Sequence, residues 1–364
     1  MKRFLLLNKD VVVLEFSAVE KNCRVGYEIC SVERKDLIPR DFRCIGDWID
    51  SRYVLSERRS LGRIMRFAGV NSFIDFLEIT NGVSLKDTYW IKEVNSEKSW
   101  SMVSPYSNSL NRLMSDYAFN RGLTGKTVYG SPEFATDGNF EKCWRKYNGG
   151  IYLYKRGSSG DCNVGNEPYS EVYAYKIAKA MGIDCCEYKL GIYKGIITSI
   201  CKCMTNEKVG LMSYRDLSGE VECNFEKLIT SIDGQNKKYI VDMLLLDYVI
   251  CNVDRDYGNI GVLLDNDTNG IIGFTPLYDH NLSCIPYYTD EESLDYYISS
   301  IRAKDGRSWE ELYRLIDSKY SRNKLSMLLG NSFSIGCKRD KIVNEMVKHQ
   351  IEKFYVGNFK DRYL

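Results

Sequence analysis

The stretch from Asn252 to Asp279 constrains this chain more than any other. It reads Asn-Val-Asp-Arg-Asp-Tyr-Gly-Asn-Ile-Gly-Val-Leu-Leu, then a polar turn, then Gly-Ile-Ile-Gly-Phe-Thr-Pro-Leu-Tyr-Asp. Asp254 is followed five residues later by Asn259. In that D-x-x-x-x-N spacing a carboxylate can accept a hydroxyl proton while an amide holds a metal ion during phosphoryl transfer. Ile260 to Leu264 and Ile271 to Phe274 read as short strands, joined by a turn ending in the hairpin signal Asn269-Gly270. Such a hairpin returns Asp279 towards Asn259, so that two metal-binding side chains converge. Asp, Asn and Gly also crowd ordinary turns; it is the spacing joined to a hairpin and a second carboxylate that points to a site.

Composition removes other classes. Fifty basic residues against 49 acidic ones give a net charge of +1, so no bulk attraction to nucleic acid or anionic membranes is expected. No run approaches the roughly 20 apolar residues that span a bilayer. The thirteen cysteines are an odd number without a disulfide-scaffold rhythm, and the start Met-Lys-Arg-Phe-Leu-Leu-Leu-Asn is short for a signal peptide. These features read as a cytoplasmic protein with reduced thiols. Neither Cys185-Cys186 nor Cys201-x-Cys203 has the spacing of a zinc site.

Three regions follow along the chain: 1–125, 126–206 and 207–364. The first reads as a small mixed α/β accessory domain. It has strands at Phe4 to Leu7 and Val11 to Phe16, helices at Glu57 to Ala68 and Ser72 to Ile79, and a polar loop from Ser101 to Asn111. The second changes to strands, a helix and strands, as in the small lobe of a kinase. Glu141 to Lys146 and Ile151 to Lys155 flank Tyr147-Asn148-Gly149-Gly150 and should pair. Period two puts Ile151, Leu153 and Lys155 on one face, where Lys155 either reaches phosphate oxygens or snorkels at an edge.

A helix from Pro168 to Met181, introduced by Asn166 and ended by Gly182, carries Glu171. Glu171 can hold Lys155, with Glu167 the rival partner. Ala135-Thr136-Asp137-Gly138-Asn139 occupies the position of a phosphate-covering turn, where backbone amides could cradle phosphate. The strand Ile196 to Cys203 leads to Met204 and Thr205, where backbone groups of Cys203, Met204 and Thr205 would adjoin an adenine ring. The third region is mainly helical: Tyr239 to Val249 is a core helix bearing Asp247 as a supporting carboxylate, and Trp309 to Lys319 and Asp340 to Phe354 are amphipathic.

As an ordered set, these motifs resemble the HipA-like serine/threonine kinases from Ser131 to about Pro286, and more loosely to the C-terminus. They are Thr136-Asp137-Gly138, Tyr154-Lys155, Asn166-Glu167-Pro168, Ser170-Glu171-Val172, the segment Asp247 to Arg255, Asn259-Ile260-Gly261-Val262 and Thr275-Pro276-Leu277-Tyr278-Asp279. The resemblance implies an α+β, two-lobed protein-kinase-like fold, use of ATP and Mg²⁺, and γ-phosphate transfer to a serine or threonine of a protein substrate. It makes Asp254 the catalytic base, Asn259 and Asp279 the metal ligands and Lys155 the ATP-phosphate lysine. Some relatives are toxins of toxin–antitoxin pairs and some autophosphorylate; no motif here carries either property over, so an antitoxin or regulatory partner and autophosphorylation stand as questions.

Two positions depart from the pattern: Asp256 where many relatives carry His, and Asn281 where many carry Gly. Asp256 adds negative charge beside the phosphates. Two other functions fit parts of the chain. A small-molecule kinase would share the Asp, Asn and later Asp, but usually has His-Gly before the first Asp, where Asn252-Val253 stands. A nucleotide-binding regulator without phosphoryl transfer would keep the same pocket.

Overall fold

The computed structural model describes residues 1–21, 24–53, 65, 69–70, 72–111, 119, 140–159, 164–289 and 291–360. The chain divides into two compact units interleaved along the sequence. The first comprises Met1–Tyr154, Lys202–Met212 and Leu263–Ile272; the second comprises Lys155–Cys201, Ser213–Val262 and Gly273–Leu364.

In the first unit, β1 (Lys2–Asn8), β2 (Val11–Lys21), β3 (Arg24–Val32) and β4 (Tyr89–Glu93) form a sheet of order β3-β2-β1-β4. Pairings of β1 with β2 and β4, and of β2 with β3, are antiparallel. Alternation along β1 and β2 turns Phe4, Leu6, Leu14 and Phe16 inward. They pack with Trp48 and Ile49 of the helix Ile45–Ser51 and with Phe76 and Leu77 of the helix Phe73–Thr80. Each such side chain stabilises the unit by about 1.5–3 kcal/mol. The Ser72 hydroxyl caps its helix by accepting from Asp75 N at 3.0 Å. The expected helix Glu57 to Ala68 lies almost wholly outside the described residues.

The segment Ser101 to Asn111 is not simply a polar loop. Its start belongs to a helical turn, Trp100–Val103, and Ser104 and Asn111 are buried. Glu207 anchors the first part of the segment: its carboxylate accepts from Trp100 Nε1 at 2.6 Å and from the Ser104 and Ser107 hydroxyls at 2.7 and 3.1 Å.

A second sheet has the order β5-β6-β8-β7, from β5 (Lys142–Tyr147), β6 (Gly150–Arg156), β7 (Tyr188–Tyr193) and β8 (Ile196–Lys202). Asn148 and Gly149 both take positive φ between β5 and β6, as do Lys194 and Gly195 between β7 and β8, the geometry of a tight hairpin turn. A third sheet, β11-β10-β9, joins β9 (Val209–Ser213), β10 (Gly261–Asp265) and β11 (Ile271–Phe274).

The helix Gly234–Ile250 is the centre of the second unit. From Met243 to Ile250 every residue is buried, and all but Asp247 are hydrophobic, as expected of a helix enclosed on all sides. Around it pack Tyr173 and Ile177 of the helix Glu167–Ala180, Leu312 and Tyr313 of Trp309–Ile316, and Phe354 of Asp340–Lys360. The expected helix Trp309 to Lys319 ends at Ile316, and a second helix, Lys319–Ser326, follows, capped by the Ser318 hydroxyl. Among the described residues, no helix is long and apolar enough to cross a membrane.

Candidate active site

The helix Gly234–Ile250 stops at Cys251, which adopts φ 51° and ψ 50°, and the chain turns into the loop Asn252 to Asn259. Asp247, the one carboxylate in the buried run, organises that loop. Its Oδ1 accepts from Asn252 Nδ2 at 2.8 Å, and its Oδ2 accepts from Arg255 Nε at 2.9 Å. The same guanidinium donates from Nη1 to the carbonyls of Asn259 at 2.7 Å and Tyr278 at 2.9 Å. Burial disfavours the Arg255 charge, but the Asp247 carboxylate outweighs it and holds the guanidinium pKa above its usual value. Asp247 therefore has the supporting role its sequence position suggests, while Arg255 links two backbone segments in a way sequence reasoning missed.

Asp256 caps the turn Tyr257–Asn259. Its Oδ1 accepts from Gly258 N at 2.6 Å and Asn259 N at 3.2 Å, and Arg215 lies 2.8 Å from Oδ2. The negative charge that separates this chain from many of the proteins it resembles is thus matched by an arginine. Asn259 Nδ2 donates to the Asp254 carbonyl at 2.8 Å, leaving Oδ1 as its remaining polar atom. Asp254 itself is partly exposed, and its Oδ1 lies 2.6 Å from Lys304 Nζ.

Asp279 is placed by backbone pairing. Leu277 N donates to Asp184 O at 3.0 Å and Cys186 N donates to Leu277 O at 2.8 Å. Two residues on, Asp279 takes φ 59°, the left-handed region, and its N–H donates to the Tyr188 hydroxyl at 3.2 Å. Lys155 Nζ sits between two carboxylates, 2.8 Å from Glu171 Oε1 and 2.7 Å from Asp279 Oδ1. Burial would lower the Lys155 pKa, but Asp279 and Glu171 together raise it, so the side chain stays an ammonium. Burial also pushes Glu171 up, against the pull of Lys155.

Glu167, the rival partner, is engaged elsewhere. It accepts from Ser158 N at 3.1 Å and from the Tyr287 hydroxyl at 2.7 Å. Asn166 heads its helix without a side-chain cap bond; its amide donates to Pro286 O at 2.8 Å.

His280 is a second feature the sequence did not reveal. It is fully buried, its N–H donates to Glu171 Oε2 at 2.9 Å, and neither ring nitrogen finds a hydrogen-bond partner among the described residues. Burial holds its pKa well below 6.5, so the ring is neutral.

The second unit thus contains Asp254, Asn259, Lys155, Glu171 and Asp279. Cys203, Met204 and Thr205 belong to the first unit, where Cys203 N donates to Ile151 O at 2.8 Å and the Thr205 hydroxyl to Leu85 O at 2.5 Å. Thr136, Asp137 and Gly138 lie outside the described residues. Among the described residues, no three His, Cys, Asp or Glu side chains gather as a metal cage. One carboxylate, Asp279, and one amide oxygen, Asn259, nevertheless suit a hard cation that takes its remaining ligands from phosphate and water.

The chain has a HipA-like kinase fold. It is similar over 96% of its length, and over 96% of the other chain, to the HipA of the Shewanella oneidensis MR-1 toxin–antitoxin system solved with HipB and operator DNA, at 12% identity and a TM-score of 0.52. It is also similar to the Helicobacter pylori proinflammatory kinase CtkA, at 18% identity and a TM-score of 0.46, over 62% of this chain and 92% of that one. No family model and no curated protein matches the sequence.

Proposed function

We propose that this protein is an ATP- and Mg²⁺-dependent kinase of the HipA type that phosphorylates serine or threonine hydroxyls of a protein. The observation that carries the reading is the Arg255 guanidinium bonded to the carbonyls of both Asn259 and Tyr278. It ties the Asp254 loop to the segment bearing Asp279, the two segments that phosphoryl transfer needs in one place.

In this reading Asp254 accepts the acceptor hydroxyl proton, and Lys155, positioned by Glu171, orients the nucleotide phosphates. Asn259 and Asp279 would hold Mg²⁺, which supplies charge neutralisation to the β and γ phosphates. Catalysis is then mainly positioning and electrostatics. By analogy with HipA and HipB, an antitoxin-like protein is a partner to test, as is self-phosphorylation on a loop serine. A cytoplasmic location fits the reading.

The test is incubation with γ-labelled ATP and Mg²⁺, alongside Asp254→Ala and Asp279→Ala, with the label located by mass spectrometry. Label on Ser or Thr that falls by at least about 100-fold in both variants supports the reading. Undiminished transfer by Asp254→Ala overturns it.

A further inference from the structure

We propose that Lys304 is a catalytic cation of this site: its ammonium, 2.6 Å from Asp254 Oδ1, engages the γ-phosphoryl group of a bound nucleotide and frees the carboxylate for the acceptor hydroxyl. This rests on the kinase reading and adds a residue that the motifs do not contain, 50 positions beyond Asp254 in sequence.

Three acids of the loop region each have a cation. Asp247 has Arg255 and Asp256 has Arg215, at 2.9 and 2.8 Å. Both partners are arginines, whose rigid forks suit fixed structural pairs. Asp254 instead has a lysine, a compact charge on a flexible stem. Its partner is the group the reaction must use as a base, so the pair occupies the very carboxylate that has to be released. With 39% and 31% of the two side chains exposed, the pair is a weak, solvent-screened one that exchanges partners readily.

The backbone beneath Lys304 is firmly held. Ala303 N donates to Arg307 O and Gly306 N to Ala303 O, both at 2.9 Å. Asp305 Oδ2 accepts from Phe225 N at 3.2 Å and from Arg307 Nε at 2.9 Å. A fixed turn with an ammonium on a long, flexible stem at its tip delivers charge to one small region, and a γ-phosphate presents more negative charge than the carboxylate it would replace.

In the step itself, the acceptor oxygen bonds to the γ-phosphorus as the bond from that phosphorus to the β–γ bridging oxygen breaks. The electron pair of the broken bond leaves on ADP. The hydroxyl proton passes to Asp254 and then to solvent, while Lys304 neutralises the charge spread over the transferred group.

The experiment measures binding of ATP and of ADP by calorimetry with Mg²⁺, and kcat and KM for transfer, in the wild type, Lys304→Ala and Lys304→Arg. Removing the side chain should cut the preference for ATP over ADP by about tenfold, the scale of one charge-assisted hydrogen bond, and kcat by about 100-fold. ADP affinity should stay unchanged, and Lys304→Arg should retain the preference. An unchanged ATP preference in Lys304→Ala, or a kcat that rises because Lys304 only masks Asp254, overturns the inference while leaving the kinase reading intact. A wild type that prefers ATP through Lys304 yet transfers to no acceptor overturns the kinase reading and with it the catalytic role of Lys304, leaving only its contact with the nucleotide; one that binds neither nucleotide overturns both outright.

Discussion

Arg255 donates to Asp247 Oδ2 at 2.9 Å with only 1% and 2% of the two side chains exposed. Because the guanidinium also holds the carbonyls of Asn259 and Tyr278, one buried ion pair sets the spacing of two separate segments. Arg255→Leu should therefore lower stability by about 3–5 kcal/mol in urea unfolding, the usual cost of leaving a buried charge unpaired. Arg255→Lys should recover little, since an ammonium cannot span the same acceptors. A loss under about 1 kcal/mol would show that water replaces those contacts.

Lys155 answers two carboxylates, so its replacement should expose a conflict between them. Lys155→Met should destabilise the protein, and Lys155→Met combined with Glu171→Gln should be more stable than Lys155→Met alone. The double-mutant cycle should give a coupling of at least about 1 kcal/mol. Additive effects would mean that the 2.8 Å contact carries no energy.

Asp256 caps the turn that presents Asn259, and Asn can cap as Asp does. Asp256→Ala should cost about 1 kcal/mol of stability and raise the Mg²⁺ concentration needed for half-maximal transfer. Asp256→Asn should preserve the Mg²⁺ requirement. Equal behaviour of the two variants would assign the effect to the lost Arg215 pair instead of the cap.

Asp340 gives an acid-sensitive contribution. Burial pushes its pKa up, but donors at Ile335 N, the Ser334 and Tyr173 hydroxyls and Gly336 N outweigh this and depress it well below 3.8. Its stabilisation is therefore complete above 3.8, where the unfolded group is also ionised, and is lost as pH falls towards the depressed folded value. Asp340→Asn should be less stable than wild type at pH 7 and lose less stability on acidification below pH 3.8. Parallel acid limbs would rule out this carboxylate as their cause.

The sequence made the hairpin after Asn259 legible because its turn chemistry is local: Asn269 takes φ 57°, and Asp265 N donates to Gly270 O at 2.8 Å. The core helix was legible through its apolar, helix-spaced run from Tyr239 to Val249. β7 was missed, although Tyr188, Leu190 and Ile192 alternate before the Lys194-Gly195 turn. Arg255 and Lys304 were invisible as partners for a different reason. Their contacts join residues far apart in sequence or reach backbone carbonyls, and neither periodicity nor spacing reports such contacts. The choice between Glu167 and Glu171 likewise needed the fold, because Tyr287, which engages Glu167, lies 120 residues away.

Asp279 sits in a backbone conformation with φ 59°, which disfavours every residue with a Cβ by about 1–2 kcal/mol. Its charge also opposes Glu171 across a shared lysine. Glycine at this position would relax the backbone and leave Lys155 and Glu171 as a balanced pair. Selection of variants for heat resistance alone should therefore enrich Asp279→Gly, which on the proposed kinase reading would be a sturdier but silent protein. Persistence of an aspartate there in working copies would be a record of selection for chemistry, imposed against the preference of the fold.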